Sequence, residues 1–182
     1  MALGSIDQFK ARLAGGGARG NLFQVTLANP RGGLGVNLDV DFASFMCEGA
    51  QLPGSTVGVI TVPFRGRQLK MAGDRTFDTW TVTIINDTEF KIRDEMEKWM
   101  NQIANHADAG GVQNPELYFT DLKVEQFDRN EKVIKTYNFK DAWPSEVAPI
   151  DLSYGDTDNI ERFTVTWQYQ YWTSNTTDGV SG

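Results

Sequence analysis

Cysteine and histidine are almost missing from this 182-residue chain: Cys47 and His106 are the single examples of each. One cysteine excludes an internal disulfide. One histidine leaves no Ser-His-Asp or Cys-His set except around His106, the usual general base being otherwise absent. Cys47 stands in the apolar stretch Phe42-Ala43-Ser44-Phe45-Met46-Cys47 and is expected as a small core hydrophobe rather than a nucleophile. His106 follows an amphipathic helix in a polar stretch and is expected in solvent. Long apolar runs are missing too: with a mean hydropathy of -0.39 no transmembrane helix is expected. The start, Met1-Ala2-Leu3-Gly4-Ser5-Ile6-Asp7, lacks the basic and apolar regions of a secretory signal peptide. Positive charge is in deficit, 17 Lys and Arg against 24 Asp and Glu, a net charge of -7. That argues against a chain that grips nucleic acid, because phosphate binding needs clustered cations that release counterions.

What is present is a strand-rich sequence of a length suited to one domain. Residues 1–20 contain Gly15-Gly16-Gly17-Ala18-Arg19-Gly20 and are expected as a flexible segment. Ile6, Phe9 and Leu13 there share helical spacing and could dock on a neighbour. The domain is expected over 21–172, with a polar, flexible tail over 173–182. Alternation predicts a first strand over 21–27, a strand over 42–48 and a turn at Leu52-Pro53-Gly54. Two arms, 57–65 and 67–71, flank Arg65-Gly66-Arg67 as a hairpin, with Pro63 marking an edge or bulge. Gly73-Asp74 is expected as a tight turn. Then Trp80, Val82 and Ile84 face one way and Thr79, Thr81 and Thr83 the other. One helix is expected over 88–105, with Ile92, Met96, Trp99 and Ile103 as its apolar stripe and Asp87 or Thr88 as cap. Further strands are expected over 116–127, 131–139 and 159–172, with a break in regular pairing at 142–147. The last carries Phe163, Val165, Trp167, Tyr169 and Tyr171 on one face and Thr164, Thr166, Gln168 and Gln170 on the other. The expected fold is mainly β, a β-sandwich or small barrel with one flanking α-helix.

Candidate chemistry is sparse. Asp39 and Asp41 on one strand face, or Asp156 and Asp158 in a loop, could face a cation, but the first pair has no third ligand or helix context nearby and the second reads as an ordinary turn. The aromatic residues suit stacking on a carbohydrate or a single strand, yet their strict alternation fits core packing better. Trp172 falls on the polar parity of the last strand and is expected to face a neighbour. No catalytic residue, metal ligand or cofactor site is expected.

The most distinctive segment is Ala72-Gly73-Asp74-Arg75-Thr76-Phe77-Asp78, leading into the Trp80 strand. It resembles the corresponding segment of the tail-tube proteins of contractile-tailed bacteriophages. The resemblance extends from Asn21 to Trp172, through Asn21-Leu22-Phe23-Gln24-Val25, Leu52-Pro53-Gly54, Trp143-Pro144-Ser145-Glu146-Val147 and Phe163-Thr164-Val165-Thr166. It implies a non-enzymatic structural protein of the virion tail, assembled in the host cytoplasm. Its subunits would form hexameric rings stacked into a hollow tube, with sheath, baseplate and terminator proteins as partners. DNA would pass through the lumen without specific binding, and no membrane would be involved. The tubes of bacterial contractile injection and type VI secretion systems share that fold and remain an alternative. A soluble carbohydrate-binding β-sandwich is the alternative from another class. Candidate contacts between subunits are Arg65, Gly66, Arg67, Lys70, Asp74, Arg75 and Trp172.

Overall fold

The computed structural model describes residues 5–13, 16–108 and 110–177. One strand decides its architecture. β7 (Val133–Val147) is long enough to belong to two sheets in turn. Its first part pairs with β6 (Thr120–Phe127) on one side and β9 (Tyr171–Ser174) on the other. Its last part pairs with β8 (Arg162–Gln168). β1 (Phe23–Thr26) flanks β6, while β5 (Trp80–Ile85) and then β2 (Cys47–Ala50) extend outward from β8. Every pairing is antiparallel. One sheet is therefore β1-β6-β7-β9 and the other β7-β8-β5-β2, folded over one core.

The strict alternation of β5 and β8 is reproduced. Trp80, Val82, Ile84, Phe163, Val165 and Trp167 are buried and face Leu122, Val124 and Phe139 of the other sheet. Trp80 stacks on Phe139 with ring centroids 4.2 Å apart, joining the sheets. α3 (Lys91–Ile103) seats Ile92, Met96 and Trp99 in the core, and Trp99 meets Trp167 edge-on at 5.6 Å. The helix is shorter than 88–105 because Phe90 at its N-cap is left-handed, φ 54°. Asp87, as expected, accepts from its first turn, at Lys91 N, 3.0 Å.

Four expectations are corrected. Residues 42–48 do not form a strand. α2 (Val40–Met46) occupies most of that stretch, and β2 starts only at Cys47. Asp39 is the N-cap, accepting from Phe42 N at 3.0 Å, so it is a cap and not half of a strand carboxylate pair. α2 closes the seam between the edge strands β1 and β2, burying Ala43 and donating Ser44 Oγ to the Val25 carbonyl at 2.6 Å. The break in regular pairing expected at 142–147 is present, but it lies inside β7, which continues through it. Asp141 in the left-handed region (φ 54°) and a bulge between Pro144 and Glu146 turn the strand from one sheet to the other. The last strand, expected over 159–172, begins at Arg162 and splits into β8 and β9. The chain turns a corner at Tyr169-Gln170 that restarts the side-chain parity. The segment expected over 116–127 opens with a helical turn, α4 (Pro115–Tyr118), capped by Asn114 with Pro115 in its first turn.

Both terminal expectations meet structure at their edges. α1 (Ile6–Arg12) forms in the first segment, closed by a capping box between Ser5 and Gln8, and Ile6, Phe9 and Leu13 stay exposed. β9 reaches Ser174, two residues past the expected boundary, and Ser174 is buried. Residues 1–4, 14, 15 and 178–182 of these two segments lie outside the described residues.

Candidate assembly surface

β3 (Thr56–Phe64) and β4 (Arg67–Thr76) form a two-stranded ribbon separate from both sheets. Arg65 and Gly66 make its tip with φ of 47° and 78°. Two consecutive left-handed residues are what a two-residue type I′ hairpin turn needs, because its twist matches that of the strands. The register pairs Ile60 with Met71, Val62 with Leu69 and Phe64 with Arg67. Directly paired residues share a face. One face thus carries Ile60, Val62, Phe64, Leu69 and Met71, all exposed, with Arg67 beside Phe64 at its tip end. The other is mixed, carrying Thr61, Pro63, Gln68 and Lys70 together with exposed Val59 and its partner Ala72. An isolated two-stranded ribbon is marginal in water, and one with an exposed apolar side gains stability when that side is covered.

The expected turn at Gly73-Asp74 is corrected here, since both residues lie within β4. A bulge sets Gly58 of β3 against this stretch. A Cβ on Gly73 would stand 3.2 Å from the Gly58 backbone and 3.3 Å from Ile60, so the glycine permits close approach of the strands, not a turn.

The candidate residues are placed as follows. Arg65, Gly66 and Arg67 stand together at the tip, Lys70 lies three residues along β4, and Asp74 and Arg75 lie toward the base. Among the described residues none of the ribbon's four cations forms an ion pair. Trp172 is half-buried at the ribbon's foot. Its Nε1–H donates to the Gly54 carbonyl at 3.1 Å, and its ring meets Phe77 and Tyr137 edge-on. The five apolar ribbon residues were not singled out by sequence. Their signal was readable, because alternation on both arms and a two-residue turn together define the register.

A second surface is polar. The Thr faces of β5 and β8, separate stretches in sequence, are one face in space: Thr81 pairs with Thr166 and Thr83 with Thr164. Gln168 and Glu146 extend it, and the one cation at its end, Arg162, is bound by Glu48. A third feature is an ionic cluster in which Arg31 reaches Glu116, Asp121 and Asp141 at 3.1, 2.7 and 2.7 Å. Lys140 reaches Asp121 at 2.7 Å. Burial pushes the Asp121 carboxyl up, but the Lys140 hydrogen bond, the Asp141 N–H and the charges of Lys140 and Arg31 outweigh it and hold the group below its ordinary value.

The groups of reactive type are quiet. Burial pushes the Cys47 thiol up to about 12, so it is protonated at neutral pH. The His106 ring nitrogen Nδ1 lies 2.8 Å from Asn101 Oδ1 on an exposed surface. Asp156 accepts from Asn159 within its loop. Among the described residues no group of three His, Cys, Asp or Glu side chains is placed to hold a metal.

Relatives of the chain fit an assembly surface better than a reaction site. The family model described as phage tail tube protein matches residues 18–175. The tail tube protein gp19 of Enterobacteria phage T4 is 34% identical over 167 residues, which cover 91% of this chain and 97% of that one. In fold, the chain is similar to the cap of the anti-feeding prophage, with a TM-score of 0.63 at 16% identity over 87% of this chain and 90% of that one. It is also similar to the sheath-tube complex of the extracellular contractile injection system PVC, with a TM-score of 0.62 at 12% identity over 94% and 98%. The chain belongs to the phage tail tube protein family.

Proposed function

We propose that the chain builds the inner tube of a contractile phage tail, as hexameric rings stacked around a lumen through which DNA leaves the virion. The observation that carries this is the β3–β4 ribbon, whose apolar face nothing among the described residues covers. Covering five half-exposed side chains would contribute on the order of 5 kcal/mol per subunit, a driving force for association that a monomer leaves unused. A contact between two different surfaces of one subunit closes into a ring or propagates as a filament, according to its rotation. Sheath, baseplate and terminator proteins are its partners in this reading, which the fold shared with contractile systems supports. Phage is preferred to a bacterial injection device, because sequence identity of 34% links the chain to a phage protein while the injection systems share the fold alone.

The joined Thr/Gln face of β5 and β8 suits the lumen wall. It offers hydroxyls, amides and a carboxylate but no free cation, so duplex DNA would slide past it without the counterion release that holds a strand. The role is mechanical and not catalytic, in keeping with a protonated Cys47 and an exposed His106. Electron microscopy of the purified protein at high concentration tests the reading. Rings or tubes with a continuous channel are expected, with no tight, salt-sensitive binding of duplex DNA by the assembled protein. A strict monomer under all salt and concentration conditions would refute it, as would a lumen lined by rings of Lys and Arg.

A further inference from the structure

The ribbon's partner can be read from the opposite end of the same sheet. β5 and β8 pair from Trp80↔Trp167 at one end to Ile85↔Arg162 at the other, about 17 Å along the strands. The ribbon joins at the Trp80 end, since β4 leads through residues 77–79 into β5. The connection from β7 to β8, residues 148–161, lies at the other end, between Val147 and Arg162. These two projections are opposite in charge. The ribbon carries Arg65, Arg67, Lys70 and Arg75 against the single carboxylate of Asp74. The connection carries Asp151, Asp156, Asp158 and Glu161 with no cation, and Arg162 just beyond it is already taken by Glu48. Both also expose apolar side chains: Leu152 is 81% exposed, and Tyr154 and Ile160 stand out in the same way. An open groove at the connection is lined by Pro149, Ile150, Leu152, Ile160 and Arg162 among others.

We propose that the β3–β4 ribbon of one copy docks on the acidic connection 148–161 of a second copy, apolar face against Leu152, Tyr154 and Ile160, the tip cations Arg65 and Arg67 against its carboxylates. This rests on the tube reading and names the surface that receives the ribbon. Complementary surfaces at opposite ends of one sheet cannot satisfy each other within a chain. They can do so between chains displaced along the strand direction, which makes the contact heterologous and propagating, as stacking requires. The charge match also sets direction, because ribbon against ribbon and loop against loop both repel.

Charge exchange tests it on the full chain. Arg65→Glu with Arg67→Glu, and separately Asp156→Lys with Asp158→Lys, are each expected to raise the concentration needed for tubes, read by sedimentation and electron microscopy, about tenfold at low salt. All four changes together are expected to restore tubes to within about threefold of the parent. As a second measurement, Phe64→Cys with Leu152→Cys in a Cys47→Ala background is expected to give a ladder of disulfide-linked chains upon oxidation of tubes. Parent protein that forms no tubes overturns the tube reading and this inference with it. Tubes that tolerate the loop reversal, a fourfold variant no better than the worse double variant, or the absence of a cross-linked ladder overturn this inference alone.

Discussion

Replacing the cross-strand pair Val62 and Leu69 with threonine separates assembly from folding. The two residues face each other across the ribbon, on the apolar side, and are 42% and 58% exposed. Full burial of such a side chain is worth about 1.5–3 kcal/mol, so the part still exposed represents roughly 1 kcal/mol each. The double substitution is expected to weaken association by about 2 kcal/mol per copy, which raises the threshold concentration for tubes by roughly thirtyfold. Threonine keeps the β-branched shape that strands favour, and neither side chain touches the core, so the dispersed chain is expected to melt within about 2 °C of the parent. Sedimentation across a dilution series gives the threshold, and differential scanning fluorimetry at low concentration gives the melting temperature. An unchanged threshold would show that the apolar face is not what assembly covers. An equal loss of monomer stability would show that the ribbon's apolar face already stabilises the monomer.

Three further outcomes are expected. Trp172→Phe removes the donor to the Gly54 carbonyl while keeping the aromatic contacts with Phe77 and Tyr137, and chemical denaturation should find the chain about 1 kcal/mol less stable. Asp121→Asn should lower the melting temperature at neutral pH, and the gap should close in acid. A carboxyl held below its ordinary value contributes stability that is complete above the unfolded value of 3.8 and is lost as pH falls through the lower folded one, so melting curves from pH 7 to pH 2 should converge. Cys47, with its thiol pushed up to about 12, should react with iodoacetamide at pH 7.5 far more slowly in the native chain than in denaturant, as mass spectrometry can follow; equal rates would contradict its burial.

Much of the fold was legible wherever one physical pattern dominated. Strict period-two alternation in β5 and β8, four-three-four spacing in α3 and a Gly-containing hairpin tip each have one solution, because each exposes a wrong face in any other conformation. The stretch 42–48 had two solutions, since a short apolar run fits strand or helix equally. Asp39 capping Phe42 and the gap between β1 and β2 decided for the helix. The candidate surface was half legible: the basic tip of the ribbon and the register of its apolar face lay in the sequence, but that the ribbon stands apart from both sheets, leaving that face exposed, did not.

By itself the sequence determined the mainly β fold class, the acidic balance, the poverty of reactive groups and the residues of the β5 and β8 faces, because these follow from composition and local period. Only the tertiary structure decided which faces meet. It carried β7 from one sheet to the other through Asp141 and the Pro144 bulge, and it merged the threonines of β5 and β8 into one wall. It set a basic ribbon and an acidic connection at opposite ends of one sheet. Those placements depend on pairings between residues dozens of positions apart, which local propensity does not encode and only closure of the shared core selects.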